Sequence, residues 1–374
     1  MRRAVVGLVL ALLVGASLGI GYLAAVEARG APTETVTPTI TSFVTSTIAS
    51  TPSRQPIPVG SVETGDIPIS GYLDPVAVDP DAGRVYIADA SSLLVVDAST
   101  HSMTADIALP ASSNDGIAID YATDTVYASV QGEVAVVNGS TDKVVGEIPL
   151  NLGYLAYDSE TGVLYGSTVE SQNGSLVAAD AKTGAVVANL SLGFQPSSVS
   201  LDPSTGLVYA VGCTTVLGCG SALSIVDGTS ETLVTTVHLN SQYFPASALD
   251  TATGIIYVSG EGQLVALNAT TGAVVFDSNP QTCGPFLGMA LVPSSDQVLL
   301  VPQNYDYLLV YDGGTGNLVN MYSLTGPPQS VAYNPASEEA YVAVSGQLLA
   351  FHDSGVTGYV NSTLIGSGEQ CAPP

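Results

Sequence analysis

The sequence predicts an all-β fold built from seven copies of one unit about forty residues long. One copy reads Pro75-Val-Ala-Val-Asp-Pro-Asp-Ala-Gly-Arg-Val-Tyr-Ile-Ala, then Leu93-Leu-Val-Val-Asp-Ala-Ser-Thr, then Ala105-Asp-Ile-Ala-Leu-Pro. Each copy predicts four short strands, because apolar runs rich in Val, Ile, Leu and Tyr are bounded by turn-forming residues. Four strands in such a period are typical of a β-propeller, so we predict seven blades.

Three positions in the repeat fix its register independently, and successive copies are 38 to 48 residues apart. The first position ends the opening strand and is usually an acid: Asp79, Asp120, Asp158, Asp202, Asp250, Val292 and Asn334. The second lies in the next strand and is usually aromatic: Tyr86, Tyr127, Tyr165, Tyr209, Tyr257, Leu299 and Tyr341. The third closes the third strand with a polar residue: Asp97, Asn138, Asp180, Asp227, Asn268, Asp312 and His352.

Two segments could complete the ring and so hide its sheet edges. Gly65-Asp-Ile-Pro-Ile-Ser has the character of a fourth strand and precedes the first full copy, and Tyr359-Val-Asn-Ser-Thr-Leu-Ile could serve instead. We expect the N-terminal segment to be the outer strand of the last blade. The propeller then covers residues 58–355, and the tail 356–374 packs on its rim.

The chain begins with a segment that predicts export. Two arginines precede Ala4–Val26, an uncharged apolar run long enough to cross a bilayer. Residues 1–30 are thus a single N-terminal transmembrane helix or a signal peptide. We expect an uncleaved anchor with the arginines inside, and cleavage at Val26-Glu-Ala28 is the alternative.

A linker rich in threonine, serine and proline follows at residues 31–57, with eight threonines and no apolar period. This composition predicts a disordered, extended stalk. The linker could be O-glycosylated or unmodified.

Charge excludes some partners. The formal net charge is −26, and beyond residue 57 only Arg84, Lys143 and Lys182 are basic. Nucleic acid and anionic lipid are therefore repelled. Charged residues make up only 11% of the chain, and the sequence has no Trp. We expect an extracytoplasmic, cell-surface protein whose partner is a cell-envelope protein or glycan. We expect it to be attached to the membrane only through its N-terminal segment.

Four cysteines in an exported chain indicate disulfides. Cys213 and Cys219 share one loop, so we expect Cys213–Cys219 and Cys283–Cys371. A metal site is not expected, because no C-x-x-C occurs and the three histidines lie in different repeats. Five N-x-[ST] sequons mark glycosylation candidates: Asn138, Asn173, Asn189, Asn268 and Asn361.

The repeat resembles the YVTN-type β-propeller family of exported and surface-layer proteins, many of them archaeal. The resemblance rests on the unit quoted above and on the tetrapeptide that gives the family its name. In this chain the tetrapeptide occurs as Tyr86-Ile-Ala-Asp, Tyr209-Ala-Val-Gly, Tyr257-Val-Ser-Gly and Tyr341-Val-Ala-Val. It covers about residues 60–355, and the sixth repeat, Val298-Leu-Leu-Val, departs most. It implies a seven-bladed propeller at the cell surface and brings no catalytic residues or cofactor with it.

No catalytic motif is found: there is no G-x-S-x-G elbow, because the match Gly15-Ala-Ser-Leu-Gly lies inside the apolar N-terminal run, and there is no H-E-x-x-H or glycine-rich phosphate loop at a helix start. We expect the acids that end the third strands to hydrogen-bond their own turns, and the tyrosine ladder to pack between blades. The sequence therefore favours a non-enzymatic binding module without a cofactor. The alternative is an exported enzyme, such as a lactonase-like hydrolase or lyase, with its site in the central funnel.

Enlarged loops in repeats three to six suggest a binding face. One face of a propeller is formed by the loops that join the second strand to the third and each blade to the next, and the enlarged loops belong to this face. They contain aromatic and amide side chains, which suit glycan or protein recognition. The candidates are Phe194, Tyr243, Phe244, Phe286, Tyr305 and Tyr307. The alternative is that these aromatic rings fold back over the blade ends.

Overall fold

The structure, a computed structural model, describes residues 63–69, 73–168, 174–214, 220–242, 246–260, 262–278 and 285–352. Within these ranges the regular elements are all β-strands, and 28 of them form seven antiparallel sheets of four strands each. The predicted all-β, seven-bladed propeller is confirmed. The described residues include no helix long and apolar enough to span a bilayer. The predicted anchor (1–30), stalk (31–57) and tail (356–374) lie outside the described residues.

The strands follow one another blade by blade. Blade 1 contains β2 (Leu73–Asp79), β3 (Arg84–Asp89), β4 (Ser92–Asp97) and β5 (Ser102–Ala108). Blade 2 contains β6 (Ser113–Asp120), β7 (Thr125–Val130), β8 (Glu133–Asn138) and β9 (Lys143–Ile148). Blade 3 contains β10 (Leu152–Asp158), β11 (Val163–Thr168), β12 (Ser175–Asp180) and β13 (Val186–Ser191). Blade 4 contains β14 (Gln195–Asp202), β15 (Leu207–Cys213), β16 (Gly220–Asp227) and β17 (Thr232–Gln242). Blade 5 contains β18 (Ser247–Asp250), β19 (Ile255–Ser259), β20 (Leu264–Asn268) and β21 (Val274–Asp277). Blade 6 contains β22 (Phe286–Val292), β23 (Gln297–Pro302), β24 (Tyr307–Asp312) and β25 (Leu318–Ser323). Blade 7 contains β26 (Pro328–Asn334), β27 (Glu339–Val344), β28 (Gln347–His352) and the N-terminal β1 (Glu63–Pro68).

The ring closes through its N-terminal strand. β1 pairs antiparallel with β28, with Asp66 opposite Leu349 and Ile67 opposite Leu348. This confirms the expectation that the N-terminal segment is the outer strand of the last blade. The first strands of successive blades contact one another around the whole ring and line a central channel. We call the end of the channel where these strands finish the lower face, and the opposite end the upper face.

The core lies between neighbouring blades. The second and third strands bury four consecutive residues, as in Val85–Ala88 and Leu93–Val96, because a blade is covered on both faces. One cluster joins Ile87 and Leu94 of blade 1 to Tyr341 of blade 7. Hydrophobic burial therefore acts across every blade boundary and needs the closed ring.

Acids and amides at strand ends bond to their own turns. On the lower face the Oδ1 atom of Asp79 accepts hydrogen bonds from the backbone N–H groups of residues 81 and 82, at 3.0 and 2.9 Å. Between third and fourth strands, Asp97, Asp180, Asp227 and Asp312 each accept a backbone N–H from a Ser or Thr three residues later. Hydrogen bonds from Ser99 and Thr100 lower the pKa of Asp97 to about 2. These contacts agree with the expectation that the acids close turns.

The tyrosine ladder joins one blade to the next. The hydroxyl of Tyr165 in blade 3 donates to the carbonyl of Gly228 in blade 4 at 3.3 Å, and Tyr257 of blade 5 donates to Gly313 of blade 6 at 3.1 Å. At the ring closure, Tyr341 of blade 7 donates to the carbonyl of Ala98 in blade 1 at 3.2 Å. The interpretation of these tyrosines as interblade contacts is therefore correct.

A β-bulge near the start of the outer strand recurs in blades 1 to 6. In blade 2, Val137 pairs with Val144 and Val136 pairs with Gly146, so Val145 has no partner in the ladder. In blades 2 to 5 two successive apolar side chains at the bulge are exposed: Val144, Val145, Val186, Val187, Leu233, Val234, Val274 and Val275. The bulges interrupt the regular hydrogen-bond pattern along the outer edge of each blade, which hinders pairing with a further strand.

Candidate functional site

A cavity of about 450 Å³ lies in the central channel near the lower face. It is formed by the ends of the first strands of blades 1, 2, 3, 4 and 7 and by the turns that follow three of them. Its lining residues are Ala77, Val78, Ile117, Ala118, Ile119, Tyr121, Leu155, Ala156, Tyr157, Ser159, Leu201, Pro203, Ala332 and Tyr333. The volume falls in the range of small-molecule sites, which are concave and mostly apolar.

The repeat explains how these side chains meet. The residue before the strand-ending acid or amide lies against the channel in each contributing blade: Val78, Ile119, Tyr157, Leu201 and Tyr333. The residue after that acid contributes in three blades, as Tyr121, Ser159 and Pro203. Because the same register position recurs around a closed ring, the lining is continuous although its residues come from segments far apart in the chain.

Three tyrosines supply the aromatic part of the lining. Tyr121 lines the cavity and is 54% exposed. The Tyr157 ring lies 5.0 Å from the Tyr127 ring at an interplanar angle of 34°. Burial, reinforced by the Asp120 carboxylate, raises the pKa of Tyr157, and partial desolvation, reinforced by Asp79 and Asp81, raises the pKa of Tyr121. Both phenols are therefore neutral at physiological pH and are poor general bases.

Four carboxylates lie one residue beyond the lining, at Asp79, Asp120, Asp158 and Asp202, each no more than 6% exposed. They are held in the lower-face turns. Burial acts to raise the pKa of Asp202, but hydrogen bonds from Ser204 and Thr205 outweigh it and the pKa is lowered. Carboxylates of blades 1 to 4 thus lie next to the cavity, and each accepts hydrogen bonds from its own turn.

The described lining residues include no carboxylate, imidazole, amine or guanidinium. The polar side chains of the described lining are the Ser159 hydroxyl and the phenols of Tyr121, Tyr157 and Tyr333. In the part of the chain that the structure describes, no three His, Cys, Asp or Glu residues are arranged to hold a metal ion. The arrangement is suited to binding an apolar group.

The aromatic residues predicted on the upper face do not form one exposed surface. Phe194 is 1% and Phe286 is 2% exposed, so the expectation of exposed rings was wrong for these two residues. Phe286 packs edge-on against Tyr311 at 6.5 Å, because covering the strand ends removes its ring from water. Tyr305 and Tyr307 are half-buried against the cluster that contains Phe286. Tyr243 and Phe244 lie outside the described residues.

The disulfide and glycan candidates are mostly untested. Cys213 is buried at the end of β15, whereas Cys219, Cys283 and Cys371 lie outside the described residues, so their pairing stays a prediction. The side-chain amide oxygens of Asn138 and Asn268 accept turn hydrogen bonds from Thr141 and Thr271. Asn189 is exposed on an outer strand. Asn173 and Asn361 lie outside the described residues.

Two features were missed by reasoning from the sequence. The cavity tyrosines replace aliphatic or small residues in other repeats: Tyr157 and Tyr333 stand where Val78 and Leu201 occur, and Tyr121 stands where Pro203 occurs. The exposed apolar pairs at the outer-strand bulges follow the third turn of blades 2 to 5, as in Val186-Val187. Aligning the seven copies column by column would have shown both.

Solved structures share the fold at low sequence identity. Hydrazine synthase from Kuenenia stuttgartiensis matches with a TM-score of 0.67 and 16% identity, over 76% of this chain and 97% of that one. The Cps50 (Swd1) β-propeller domain from Myceliophteria thermophila matches with a TM-score of 0.65 and 12% identity, over 79% of this chain and 100% of that one. A chain of the mitotic checkpoint complex matches with a TM-score of 0.62 and 15% identity, over 87% and 99%. These similarities show the fold alone.

No curated protein sequence matches the chain. A family model does: the model PQQ_2, described as outer membrane protein assembly factor BamB, matches residues 172–366. The match extends from blade 3 to beyond the last described strand and covers more than half of the sequence. The chain therefore belongs to the PQQ_2 family of β-propellers, the family described as outer membrane protein assembly factor BamB.

Proposed function

We propose that this protein is a non-enzymatic, extracytoplasmic propeller that binds an apolar part of a cell-envelope protein or glycan in its lower channel cavity. The observation on which the proposal rests is the cavity itself, with aliphatic walls, three tyrosines and no carboxylate, imidazole, amine or guanidinium among its described lining residues. The family description, an assembly factor of outer membrane proteins, supports a role in the envelope. A closer relationship to the YVTN-type surface propellers, many of them archaeal, is part of the same proposal.

Membrane attachment through residues 4–26 is the second part of the proposal. The uncharged run behind Arg2 and Arg3 supports it. The full-length protein should stay in the membrane fraction after salt and carbonate washing. Recovery of a soluble mature chain that starts near Arg29 would show a cleaved signal instead.

Binding at the cavity can be tested with a neutral apolar fluorophore, N-phenyl-1-naphthylamine, titrated into the full-length protein. We expect saturable binding at one site per chain. Ser159 is exposed and lines the cavity, so Ser159→Trp should occlude it and weaken binding at least tenfold. Ser294, exposed in the corresponding turn of blade 6 outside the cavity, gives the matched control Ser294→Trp, which should bind as the parent does.

Two results would contradict the proposal. Absence of saturable binding, or equal binding by the parent and Ser159→Trp, would exclude the cavity as the site. Turnover of a γ-lactone by the parent that Ser159→Trp abolishes would favour the alternative, an exported hydrolase or lyase with its site in the funnel.

A further inference from the structure

We infer that the lower channel cavity selects ligands that carry a methylated ammonium group, that is, a cation with an apolar surface. The inference rests on the proposed function, because it specifies the ligand class of the same cavity. Two properties of the site lead to it: aromatic rings in an aliphatic wall, and four buried carboxylates of blades 1 to 4 just outside that wall.

The aromatic rings provide the first attraction. Tyr121, Tyr157 and Tyr333 line one cavity and come from blades 2, 3 and 7. A cation over the face of a tyrosine ring is attracted by the negative charge of the π face, and recognition of quaternary ammonium groups is the principal ligand-binding use of this interaction. Tyr121 is 54% exposed, so its ring is available to a ligand.

The surrounding charge provides the second attraction. Asp79, Asp120, Asp158 and Asp202 follow lining residues directly and are nearly fully buried, so solvent screens them poorly. The described lining has no basic side chain to balance them. Arg84, the basic residue of blade 1, is engaged by the carboxylate of Asp142 at 2.6 Å. The cavity therefore lies in a negative potential that favours cations and disfavours anions.

The side chains that line the cavity determine which kind of cation can bind. A metal ion or a primary ammonium needs oxygen ligands or hydrogen-bond acceptors in place of its water shell, and burying it without them is costly. The lining is mainly Ala, Val, Ile and Leu, and the nearby carboxylates already accept hydrogen bonds from their own turns. A fully methylated ammonium has an apolar surface and no N–H group that needs an acceptor. It is therefore compatible with the apolar lining and with the negative potential of the nearby carboxylates.

A pair of isosteres separates charge from shape. Choline and 3,3-dimethylbutan-1-ol have the same outline, but only choline is charged, and each is titrated calorimetrically into the full-length protein. We expect choline to bind about tenfold more tightly, and to keep most of that advantage when sodium chloride is raised from 0.05 to 0.5 M, because buried charge is poorly screened. Equal affinity of the two ligands at low salt, or loss of the whole difference at high salt, would overturn the inference.

Substitution of Tyr121 separates the ring face from the hydroxyl. Tyr121→Phe keeps an aromatic face and should bind choline within about twofold of the parent. Tyr121→Leu keeps only apolar volume and should lose about fivefold to thirtyfold, the size of a cation–π contact. Tyr322→Leu, on the outer strand of blade 6 and outside the cavity, is the control and should bind as the parent does. Equal losses in Tyr121→Phe and Tyr121→Leu, or no loss in Tyr121→Leu, would refute a cation–π site.

The two proposals fail in different ways. If the naphthylamine probe binds and is occluded by Ser159→Trp, while choline and its neutral isostere bind equally, the cavity is a site but not a cation site. If neither the probe nor either isostere binds, the proposed function itself is wrong.

Discussion

Gly228→Ala tests whether tyrosine hydroxyls join the blades. Gly228 lies in the turn between β16 and β17, and its carbonyl accepts a hydrogen bond from Tyr165 of the preceding blade. A Cβ at this position would lie 2.6 Å from the Tyr165 hydroxyl oxygen and 2.9 Å from the carbonyl oxygen of Gly206. Gly228 is not among the residues with positive φ, so alanine adds no backbone strain there.

The size of the expected loss of stability depends on whether the Tyr165 ring can move away from the new methyl group. Tyr165 is only 1% exposed and lies in the core between blades 3 and 4, so its ring cannot withdraw. Loss of its hydrogen bonds costs about 0.5–1.5 kcal/mol. Overpacking a filled core costs about 1–3 kcal/mol more. We therefore expect Gly228→Ala to lower the free energy of unfolding by about 2–4 kcal/mol.

Urea unfolding measures this change. The chain has 18 tyrosines and no tryptophan, so tyrosine fluorescence and far-ultraviolet circular dichroism are the two probes. Gly146→Ala is the matched control, because the nearest atom to its new Cβ is the Cβ of Val136 at 3.8 Å. That substitution should leave stability unchanged or raise it by up to about 1 kcal/mol.

Tyr165→Phe removes the atom that the new Cβ meets. The double variant Tyr165→Phe with Gly228→Ala should therefore be more stable than the sum of the single losses, by about 1–2 kcal/mol. Two outcomes would refute the reasoning: a Gly228→Ala protein within about 0.5 kcal/mol of the parent, or strictly additive losses.

Other substitutions have defined outcomes. Burial, with two neighbouring carboxylates, raises the pKa of Asp296, so its stabilising contribution is complete below about pH 4 and is lost as pH rises through the folded-state pKa. Asp296→Asn should accordingly show a smaller fall in melting temperature between pH 4 and pH 7 than the parent, and an identical fall would contradict this. Val137 is fully buried and Val145 is 62% exposed on the same blade, so Val137→Thr should cost about 1–3 kcal/mol and Val145→Thr less than about 0.5 in urea unfolding. Equal losses would show that the bulge does not expose Val145.

Local chemistry made part of the fold predictable. The acid that ends the first strand, such as Asp79, bonds to N–H groups two and three residues later, so its role depends on nearby sequence alone. The same holds for Asp97 and its Ser and Thr partners. The N-terminal closing strand was also predictable, because Gly65-Asp-Ile-Pro-Ile-Ser has the pattern of the other outer strands.

Side-chain environment was harder to predict where distant segments decide it. Phe194 was expected in an enlarged surface loop, yet the connection from β13 to β14 is only residues 192–194 and the core between blades 3 and 4 encloses the ring. The sequence did not identify Tyr121, Tyr157 or Tyr333 individually as a cavity residue, because a tyrosine in a strand or turn has many uses. They line one cavity only because blade 7 returns beside blade 1.

The sequence by itself determined the number of blades, the order of their strands and the residues that close each turn, since periodicity and turn chemistry act over a few residues. The tertiary structure decided which tyrosine reaches which blade, which aromatic rings leave water, and that a cavity lined by aliphatic side chains and three tyrosines lies beside four buried carboxylates. Those properties depend on contacts between residues tens to hundreds of positions apart, and ring closure brings such residues together.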